Sequence, residues 1–186
     1  MELTQNTALI IIDQQQGLDN PKLGPRNNPD AERIILKLLH AWRSAHQLII
    51  HVKHRSLEPE SVFWPHQQGF EFKPEFIPQG DEPVIEKSIP CAMLTTDLKK
   101  ILDQKNIHKI ILVGASTNNS IETTARTASG LNFRVVVVED ACFTFAKEDY
   151  FGTARTAAEV HGMSLANLDG EYAQIINSEV LLKEPA

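Results

Sequence analysis

The sequence is poor in cysteine, in positive charge and in long apolar runs. Two cysteines, Cys91 and Cys142, among 186 residues are too few for the disulfide framework of a small secreted protein. The 18 Lys and Arg residues against 24 Asp and Glu residues give a net charge of −6, whereas a nucleic-acid partner would require a basic face. No segment approaches the roughly 18 apolar residues of a membrane span. We therefore expect neither a nucleic-acid partner nor a membrane partner.

Several motifs that identify common enzyme classes are also missing. The sequence contains no G-x-G-x-x-G and no G-x-x-x-x-G-K-[ST], so neither dinucleotide binding nor P-loop binding is indicated. It also lacks the G-x-S-x-G motif of the α/β-hydrolase nucleophile elbow. His51, His54 and His66 match no zinc-ligand spacing. The sequence therefore predicts no metal ion and no cofactor.

What is present is the composition of a folded globular protein. Hydrophobic residues make up 42% and charged residues 23% of the chain, and the apolar residues are spread along its whole length, which excludes long disorder. We expect a single domain over residues 1–186, because this length buries a proper core. The segment MELTQNTALIIID has neither the basic region nor the cleavage site of a signal peptide. Together with the few cysteines, this predicts a cytoplasmic protein.

Short apolar runs alternate with segments of helical periodicity. The runs predict strands over 8–12, 47–53, 84–86, 109–114, 134–140 and 165–168. Helices are predicted after the Asn28-Pro29-Asp30 start and over 95–104, 118–130 and 149–161, with a final helix from Glu171. This alternation implies right-handed crossovers and a mostly parallel, doubly wound α/β sheet.

Ligands of such sheets bind beyond the carboxyl ends of the strands, where the strand order reverses. Four polar positions follow or end predicted strands and are therefore expected at this edge: Asp13, Lys87, the segment after Gly114, and Glu139 with Asp140. Taken alone, Asp13 is equally well explained as the cap of a following turn, and Lys87 as a solvated lysine. The sequence thus predicts where a site lies before any motif is identified.

Segment 114–126, GASTNNSIETTAR, leads from a strand into a helix. The amides of the first helical turn would point at the strand ends, where they can hold a developing negative charge. Capping of the helix by Asn118 or Asn119 explains the polar start equally well. Ser120 would lie within this first turn.

Four segments resemble the isochorismatase-like hydrolase superfamily, also called the cysteine hydrolase family: ALIIIDQQ (8–15), VIEKSIPCAMLTTDL (84–98), KIILVGASTNNSIETTARTA (109–128) and VVVVEDA (135–141). The resemblance covers nearly the whole chain and is specific for the superfamily, not for a substrate. It implies a three-layer α/β/α fold with a six-stranded, mostly parallel sheet. It also implies a homodimer or homotetramer that acts on a small molecule.

The resemblance further implies a catalytic Asp–Lys–Cys triad at the strand ends. The acid falls on Asp13 and the lysine on Lys87, and the family's G-x-x-T-x-x-C pattern falls on Gly114, Thr117 and Ser120.

Two backbone features of the site follow from the same resemblance. A non-proline cis peptide is expected between Ala115 and Ser116, just before Thr117. Backbone amides of Ser116 and Ser120 are expected to form the oxyanion hole.

Ser120 departs from the family pattern, which has a cysteine at this position. A free thiol has a pKa near 8.5, whereas a serine hydroxyl is far less acidic and needs a competent general base. An aspartate is a weak base unless it is desolvated, and a lysine can act as a base only when neutral. Neither Cys91 nor Cys142 obviously substitutes, and both are expected to pack as small hydrophobic residues.

Three explanations of Ser120 remain open. It is a natural variant in an acid-driven reaction that needs no nucleophile, as implied for true isochorismatases; or it is a working serine nucleophile; or the chain is an engineered trap or an inactive relative. The coherent helix start NNSIETTAR favours a natural serine.

A second departure concerns metal binding. The nicotinamidase branch of the family uses an Asp-x-His pair after the second strand, but this region reads HVKHRSLEPESVFWPH, which argues against both the metal and that branch. The aromatic segment 63–76 is instead the candidate substrate wall, with Phe63 and Trp64 as contacts and Asn118 as a further one. Packing of this segment at a subunit interface is the alternative.

These observations predict a cofactor-free hydrolase of an amide, ester or enol-ether bond in a small metabolite. Asp13 would be the general acid or base, Lys87 would fix its ionisation, and Ser120 would be the nucleophile or a helix-start donor. The alternative is a binding or regulatory protein that kept the pocket and lost the reaction.

Overall fold

The central sheet is parallel throughout, and its strand order reverses beside the first strand. The computed structural model describes residues 6–182, so the first five and the last four residues of the domain expected over 1–186 lie outside the described residues. The strands are β1 (Thr7–Ile12), β2 (Leu48–His54), β3 (Val84–Lys87), β4 (Lys109–Ala115), β5 (Arg134–Phe143), β6 (Lys147–Glu148), β7 (Ala154–Arg155) and β8 (Gln174–Ile176). Six of them form one sheet in the order β3-β2-β1-β4-β5-β8, with parallel neighbours. The predicted doubly wound sheet is confirmed.

Helices cover both faces of this sheet and complete three layers. They are α1 (Ala31–Ser44), α2 (Leu98–Gln104), α3 (Glu122–Gly130), α4 (Ala157–Leu168) and α5 (Glu179–Leu182). Helices α1 and α5 contribute to one apolar cluster, and α2, α3 and α4 contribute to the other. Within residues 6–182, none of the helices is long and apolar enough to cross a membrane.

Strand β1 shows why the sheet is buried on both sides. All six of its residues are buried. Ala8, Ile10 and Ile12 pack into the layer of α2–α4, whereas Leu9 and Ile11 pack into the layer of α1 and α5. Successive side chains of a strand point to opposite faces, so an uninterrupted apolar run is stable only between two covered faces.

Three predicted elements near the carboxyl end are wrong. Residues 149–161 do not form one helix, because β6 and β7 form an antiparallel hairpin there. The Asp149 carboxylate accepts hydrogen bonds from the backbone N–H groups of Phe151 and Thr153, at 3.0 Å each, which stabilises the turn.

Helix α4 begins later than predicted, and it includes the residues predicted as a strand over 165–168. Thr156 and Glu159 form a capping box, in which each side chain accepts from the other residue's backbone N–H. The predicted final helix from Glu171 is also wrong, since β8 and then α5 occupy this part of the chain. A short apolar run cannot by itself distinguish a strand from a buried helical segment.

Candidate active site

Three polar side chains from distant parts of the chain meet at the carboxyl edge of the sheet. Asp13 directly follows β1, Lys87 is the last residue of β3, and Ser120 lies in a π-helical turn, Thr117–Ile121, that follows β4. Strands β1 and β4 are neighbours in the sheet, and the chain reverses its direction of strand addition between them. The site therefore lies at the switch point expected for such folds.

Asp13, Lys87 and Ser120 form a closed set of hydrogen bonds. Lys87 Nζ donates to Asp13 Oδ2 at 2.8 Å, and Ser120 Oγ donates to the same oxygen at 2.8 Å. Lys87 Nζ also donates to Ser120 Oγ at 3.1 Å. The three residues are only 4%, 1% and 6% exposed, respectively. Such contacts are stronger in this low-dielectric environment than in water.

The chemistry of these groups fixes the direction of the serine proton. An ammonium group carries donors only, so the Ser120 oxygen accepts the hydrogen bond from Lys87. The Ser120 hydroxyl proton is then directed to Asp13. A hydroxyl in contact with a carboxylate, itself oriented by a third group, is the arrangement of an activated nucleophile and its base.

Asp13 does not act as a side-chain cap of the following turn. Its Oδ2 atom is used by Lys87 and Ser120, and its buried Oδ1 atom has no hydrogen-bond partner among the described residues. Its backbone N–H donates to Val52 O at 2.8 Å. The backbone has φ = 56°, in the left-handed region that Asp tolerates better than most residues.

Gly114 brings β4 close to β1 next to the site. Its φ is +120°, and a Cβ atom at this position would lie 2.1 Å from the carbonyl oxygen of Ile12. The peptide bond between Ala115 and Ser116 is cis, as the family resemblance implies. A side chain at residue 114 would separate the strands where Asp13 and Ser120 meet.

The turn that carries Ser120 is held by helix α4. His161 Nδ1 and Thr117 Oγ1 are 2.8 Å apart, and Ser164 Oγ donates to the Thr117 carbonyl oxygen at 3.1 Å. Burial lowers the pKa of His161, although nearby Glu139 raises it. These supports were not predicted, because His161 ended the predicted helix, Ser164 lay outside it, and no sequence motif connects either residue with Thr117.

A cavity of about 290 Å³ opens onto the reactive groups. Its wall is formed by Asp13, Leu18, Leu23, His54, Phe63, Pro90, Ala115, Ser116, Asn119, Ser120 and Phe145. Ser116 and Ser120 both line it, so the expected oxyanion donors belong to residues of the cavity wall. This volume is near the lower end of the roughly 300–1,000 Å³ that is typical of ligand pockets, which suits a small ligand.

The predicted substrate contacts are only partly in this wall. Phe63 lines the cavity, but Trp64 and Asn118 are not among the described residues that do. Asn118 accepts a hydrogen bond from the Thr144 hydroxyl and lines a separate recess of about 630 Å³ between the β6–β7 hairpin and α4. That larger recess does not include Asp13, Lys87 or Ser120.

His54 is a cavity residue that the sequence analysis considered only as a metal ligand. Its Nδ1 atom lies 3.4 Å from Lys87 Nζ, and its ring makes an edge contact with Phe63 at 5.8 Å between centroids. Burial is the main cause that lowers the pKa of His54, and the charge of Lys87 lowers it further, whereas Asp13 raises it. The sequence feature that could have indicated a site role for His54 is its position directly after the predicted strand over 47–53.

The other residues considered for chemistry lie away from this cavity. His51 is buried and pairs with Glu82, with 2.8 Å between Nε2 and Oε2. Cys91 and Cys142 are buried free cysteines, and burial raises the pKa of the Cys142 thiol. Residues 6–182 contain no group of three or more His, Cys, Asp or Glu side chains placed to hold a metal ion.

Comparisons with known sequences and solved structures find relatives of this chain over most of its length. Residues 7–177 match the family model of the isochorismatase domain. The chain is 33% identical over 182 residues to the isochorismatase family protein YrdC of Bacillus subtilis, covering 98% of this chain and 97% of YrdC. It is 29% identical over 141 residues to a streptothricin hydrolase of Streptomyces noursei, covering 74% of this chain and 50% of that protein.

The fold is also found in solved structures. An isochorismatase-family protein from Chromobacterium violaceum superimposes with a TM-score of 0.94 at 44% sequence identity. The superposition covers 98% of this chain and 94% of that one.

Proposed function

The chain belongs to the isochorismatase family and is a hydrolase of that family; from the site geometry we propose that it cleaves an amide or ester bond of a small metabolite with an Asp13–Lys87–Ser120 triad. The observation that carries this proposal is the 2.8 Å hydrogen bond from Ser120 Oγ to Asp13 Oδ2. It joins a hydroxyl and a base that are both shielded from water. A relative named streptothricin hydrolase supports hydrolysis as the reaction class.

The proposed reaction begins with transfer of the Ser120 proton to Asp13. The Ser120 oxygen attacks the carbonyl carbon, and the carbonyl oxygen of the substrate becomes an oxyanion. Backbone N–H groups of Ser116 and Ser120 stabilise it; one such donor contributes about 10²–10³-fold in rate. The ammonium of Lys87 stays protonated and offsets the negative charge that develops on the serine oxygen.

The second half of the reaction releases the products. Asp13 returns its proton to the leaving amine or alcohol as the carbon–nitrogen or carbon–oxygen bond breaks, which leaves an acyl ester on Ser120. Asp13 then takes a proton from a water molecule that attacks this ester. Cleavage of the acyl–oxygen bond releases the acid, and Ser120 regains its proton from Asp13.

The walls of the cavity favour a small substrate with an apolar body. Leu18, Leu23, Phe63, Pro90 and Phe145 supply most of the wall away from the triad. Apolar walls with a few convergent polar groups are typical of small-molecule sites.

Two other interpretations make different demands on Ser120. In an acid-driven cleavage of an enol ether, Asp13 would protonate the substrate and the serine hydroxyl would not be required. In a binding or regulatory protein, the pocket would hold a ligand that raises the melting temperature without being converted. The serine at the family's cysteine position favours this last alternative.

A screen of small amides, esters and enol ethers with three proteins tests the proposal. The unchanged chain should hydrolyse an amide or ester, and Ser120→Ala should lose at least about 10³-fold in kcat. Full activity of Ser120→Ala on an enol ether would instead establish acid-driven chemistry. Activity found only in Ser120→Cys would show an intact pocket without a working nucleophile.

A further inference from the structure

Lys87 has three neighbours for its three N–H bonds. Nζ lies 2.8 Å from Asp13 Oδ2, 3.1 Å from Ser120 Oγ and 3.4 Å from His54 Nδ1. An ammonium group donates and never accepts, so the atom of His54 that faces it must be an unprotonated acceptor. His54 is therefore a neutral imidazole whose single proton lies on Nε2.

The surroundings of His54 favour the same neutral form. Burial and the charge of Lys87 lower its pKa, and Asp13, which raises it, acts more weakly. A protonated ring would place a second cation beside the buried ammonium. It would also leave the third N–H of Lys87 facing a donor.

The ring of His54 is held in place on several sides. Gln15 binds the backbone of His54 twice, since its Oε1 accepts from His54 N at 2.7 Å and its Nε2 donates to His54 O at 2.9 Å. Phe63 packs against the ring at an interplanar angle of 82°. Among the described residues, His54 Nε2 has no hydrogen-bond partner, although the residue lines the cavity.

The charges around the cavity select against ionic ligands. Asp13 and His54 are the titratable residues in its wall, and the Asp13 carboxylate is paired with the Lys87 ammonium behind it. A charged substrate would lose its hydration against apolar walls without an opposite net charge to compensate. An uncharged substrate with a hydrogen-bond acceptor meets no such penalty.

We propose that His54 Nε2–H is the specificity-determining donor of this site and selects small uncharged amides or esters that carry a second carbonyl oxygen close to the scissile carbonyl. The inference rests on the proposed acyl hydrolysis, because it names the substrate class of that reaction. His54 and Ser120 both contact Lys87 Nζ, at 3.4 Å and 3.1 Å, so only a few bonds separate the two carbonyl groups of the substrate.

The first test is the position of the proton, which does not depend on activity. In protein labelled with ¹⁵N-histidine, His54 at neutral pH should show a protonated Nε2 and an unprotonated Nδ1. In Lys87→Met, which removes the donor that faces Nδ1, this tautomer should lose its preference. A protonated Nδ1 in the unchanged protein would overturn the inference.

The second test compares methyl acetoacetate with methyl butanoate, which lacks the second carbonyl. The ratio of kcat/KM for the two esters should fall about tenfold in His54→Phe, which has no donor, and the change should lie mainly in KM. His54→Gln, which keeps an N–H donor, should restore most of the ratio. Equal ratios in the three proteins would overturn the inference.

Binding separates this inference from the proposed function. Acetoacetamide should perturb the His54 Nε2 resonance at lower concentration than butanamide does, whether or not either amide is hydrolysed. Selective binding without turnover would support the role of His54 and contradict the proposed function. Turnover without selectivity for the second carbonyl would support the proposed function and contradict the role of His54.

Discussion

In the proposed reaction Ser120 is a weak nucleophile by itself, and its two polar neighbours would compensate for this. Asp13 accepts a hydrogen bond from the Ser120 hydroxyl at 2.8 Å, and Lys87 donates one to the Ser120 oxygen at 3.1 Å. In the proposed mechanism the first contact would take up the serine proton, and the second would stabilise the charge that remains. Because all three groups are buried, water competes little for either hydrogen bond.

Replacing Asp13 by Asn is expected to abolish the reaction and weaken the fold. An amide cannot take the Ser120 proton, so kcat should fall at least about 10³-fold. The buried Lys87 charge would lose its partner, and the free energy of unfolding should drop by about 3 kcal/mol. Hydrolysis assays and urea denaturation measure the two effects.

Asp103→Asn is the matched control, because Asp103 forms an exposed ion pair with Lys99. It should change both quantities little, since exposed pairs contribute at most about 1 kcal/mol. Full activity of a folded Asp13→Asn variant would rule out Asp13 as the base.

The three residues of the proposed triad could be named from the sequence, whereas the residues that hold them in place could not. Asp13, Lys87 and Ser120 all follow from strand ends together with the family motif. The role of His54 depends on which atom of its ring faces Lys87, and no periodicity in the sequence encodes this. Trp64 was expected beside Phe63 in the wall, yet neighbours in an irregular loop need not share a surface.

Among the elements, β4 depends on a glycine for its approach to β1. In Gly114→Ala the new Cβ would meet the Ile12 carbonyl oxygen at 2.1 Å, and the positive φ would add strain. We expect loss of activity and of several kcal/mol of stability, measured by chemical denaturation.

Gly162→Ala offers a comparison within helix α4. Nothing lies within 4 Å of a Cβ atom at this position, so the substitution should stabilise the protein by about 1 kcal/mol. Equal stability of the two variants would contradict the proposed role of Gly114 in strand packing.

Glu82 joins helix α1, strand β2 and the loop before β3. It binds Arg43 at 2.7 and 2.8 Å, accepts from Gln79 N at 2.9 Å and pairs with His51 at 2.8 Å. Burial by itself would raise the pKa of Glu82, but these partners outweigh it and lower the pKa from 4.5 to about 2.

The contribution of Glu82 to the free energy of unfolding should therefore depend on pH. A lowered pKa in the folded state contributes stability that is complete above 4.5 and is lost as the pH falls through about 2. At pH 7, Glu82→Gln should cost about 3 kcal/mol of unfolding free energy. The difference from the unchanged protein should shrink between pH 4.5 and pH 2; a constant difference across this range would contradict the linkage.

Element boundaries near the carboxyl end were harder to predict than the sheet itself. The continuous apolar runs of β1, β4 and β5 have few alternatives to a buried strand. By contrast, residues 165–168 form the last turn of helix α4, in which Leu168 is buried and Asn167 is exposed, and the Asp149 turn depends on side-chain hydrogen bonds to the backbone. The capping box at Thr156 and Glu159 was visible in the sequence and gives the correct helix start.

On the scale of the whole molecule, the expected homodimer or homotetramer stays a prediction, as do the cytoplasmic location and the absence of nucleic-acid and membrane partners. Tyr150 and Phe151 at the tip of the β6–β7 hairpin are 94% and 87% exposed. They directly follow Asp149, which lines the recess between the hairpin and α4. A two-fold interface requires a self-complementary patch, and a protruding aromatic pair next to a recess can form one.

Sedimentation velocity tests the assembly directly. We expect the unchanged chain to sediment as a dimer or tetramer, and the double variant Tyr150→Ser, Phe151→Ser to dissociate because it loses its aromatic anchors. The matched double variant Lys99→Ser, Lys100→Ser changes exposed residues of α2 and should keep the assembly. A monomeric unchanged chain would contradict the prediction.

The most direct test of the proposed mechanism is to detect a covalent acyl group on Ser120. The protein is mixed with a small ester, quenched with acid within the first turnover and digested for peptide mass spectrometry, with Ser120→Ala treated in parallel. We expect an acyl mass increase located on Ser120, and neither adduct nor turnover in Ser120→Ala. Turnover of the ester that persists in Ser120→Ala, with no adduct on Ser120 in the unchanged chain, would contradict it.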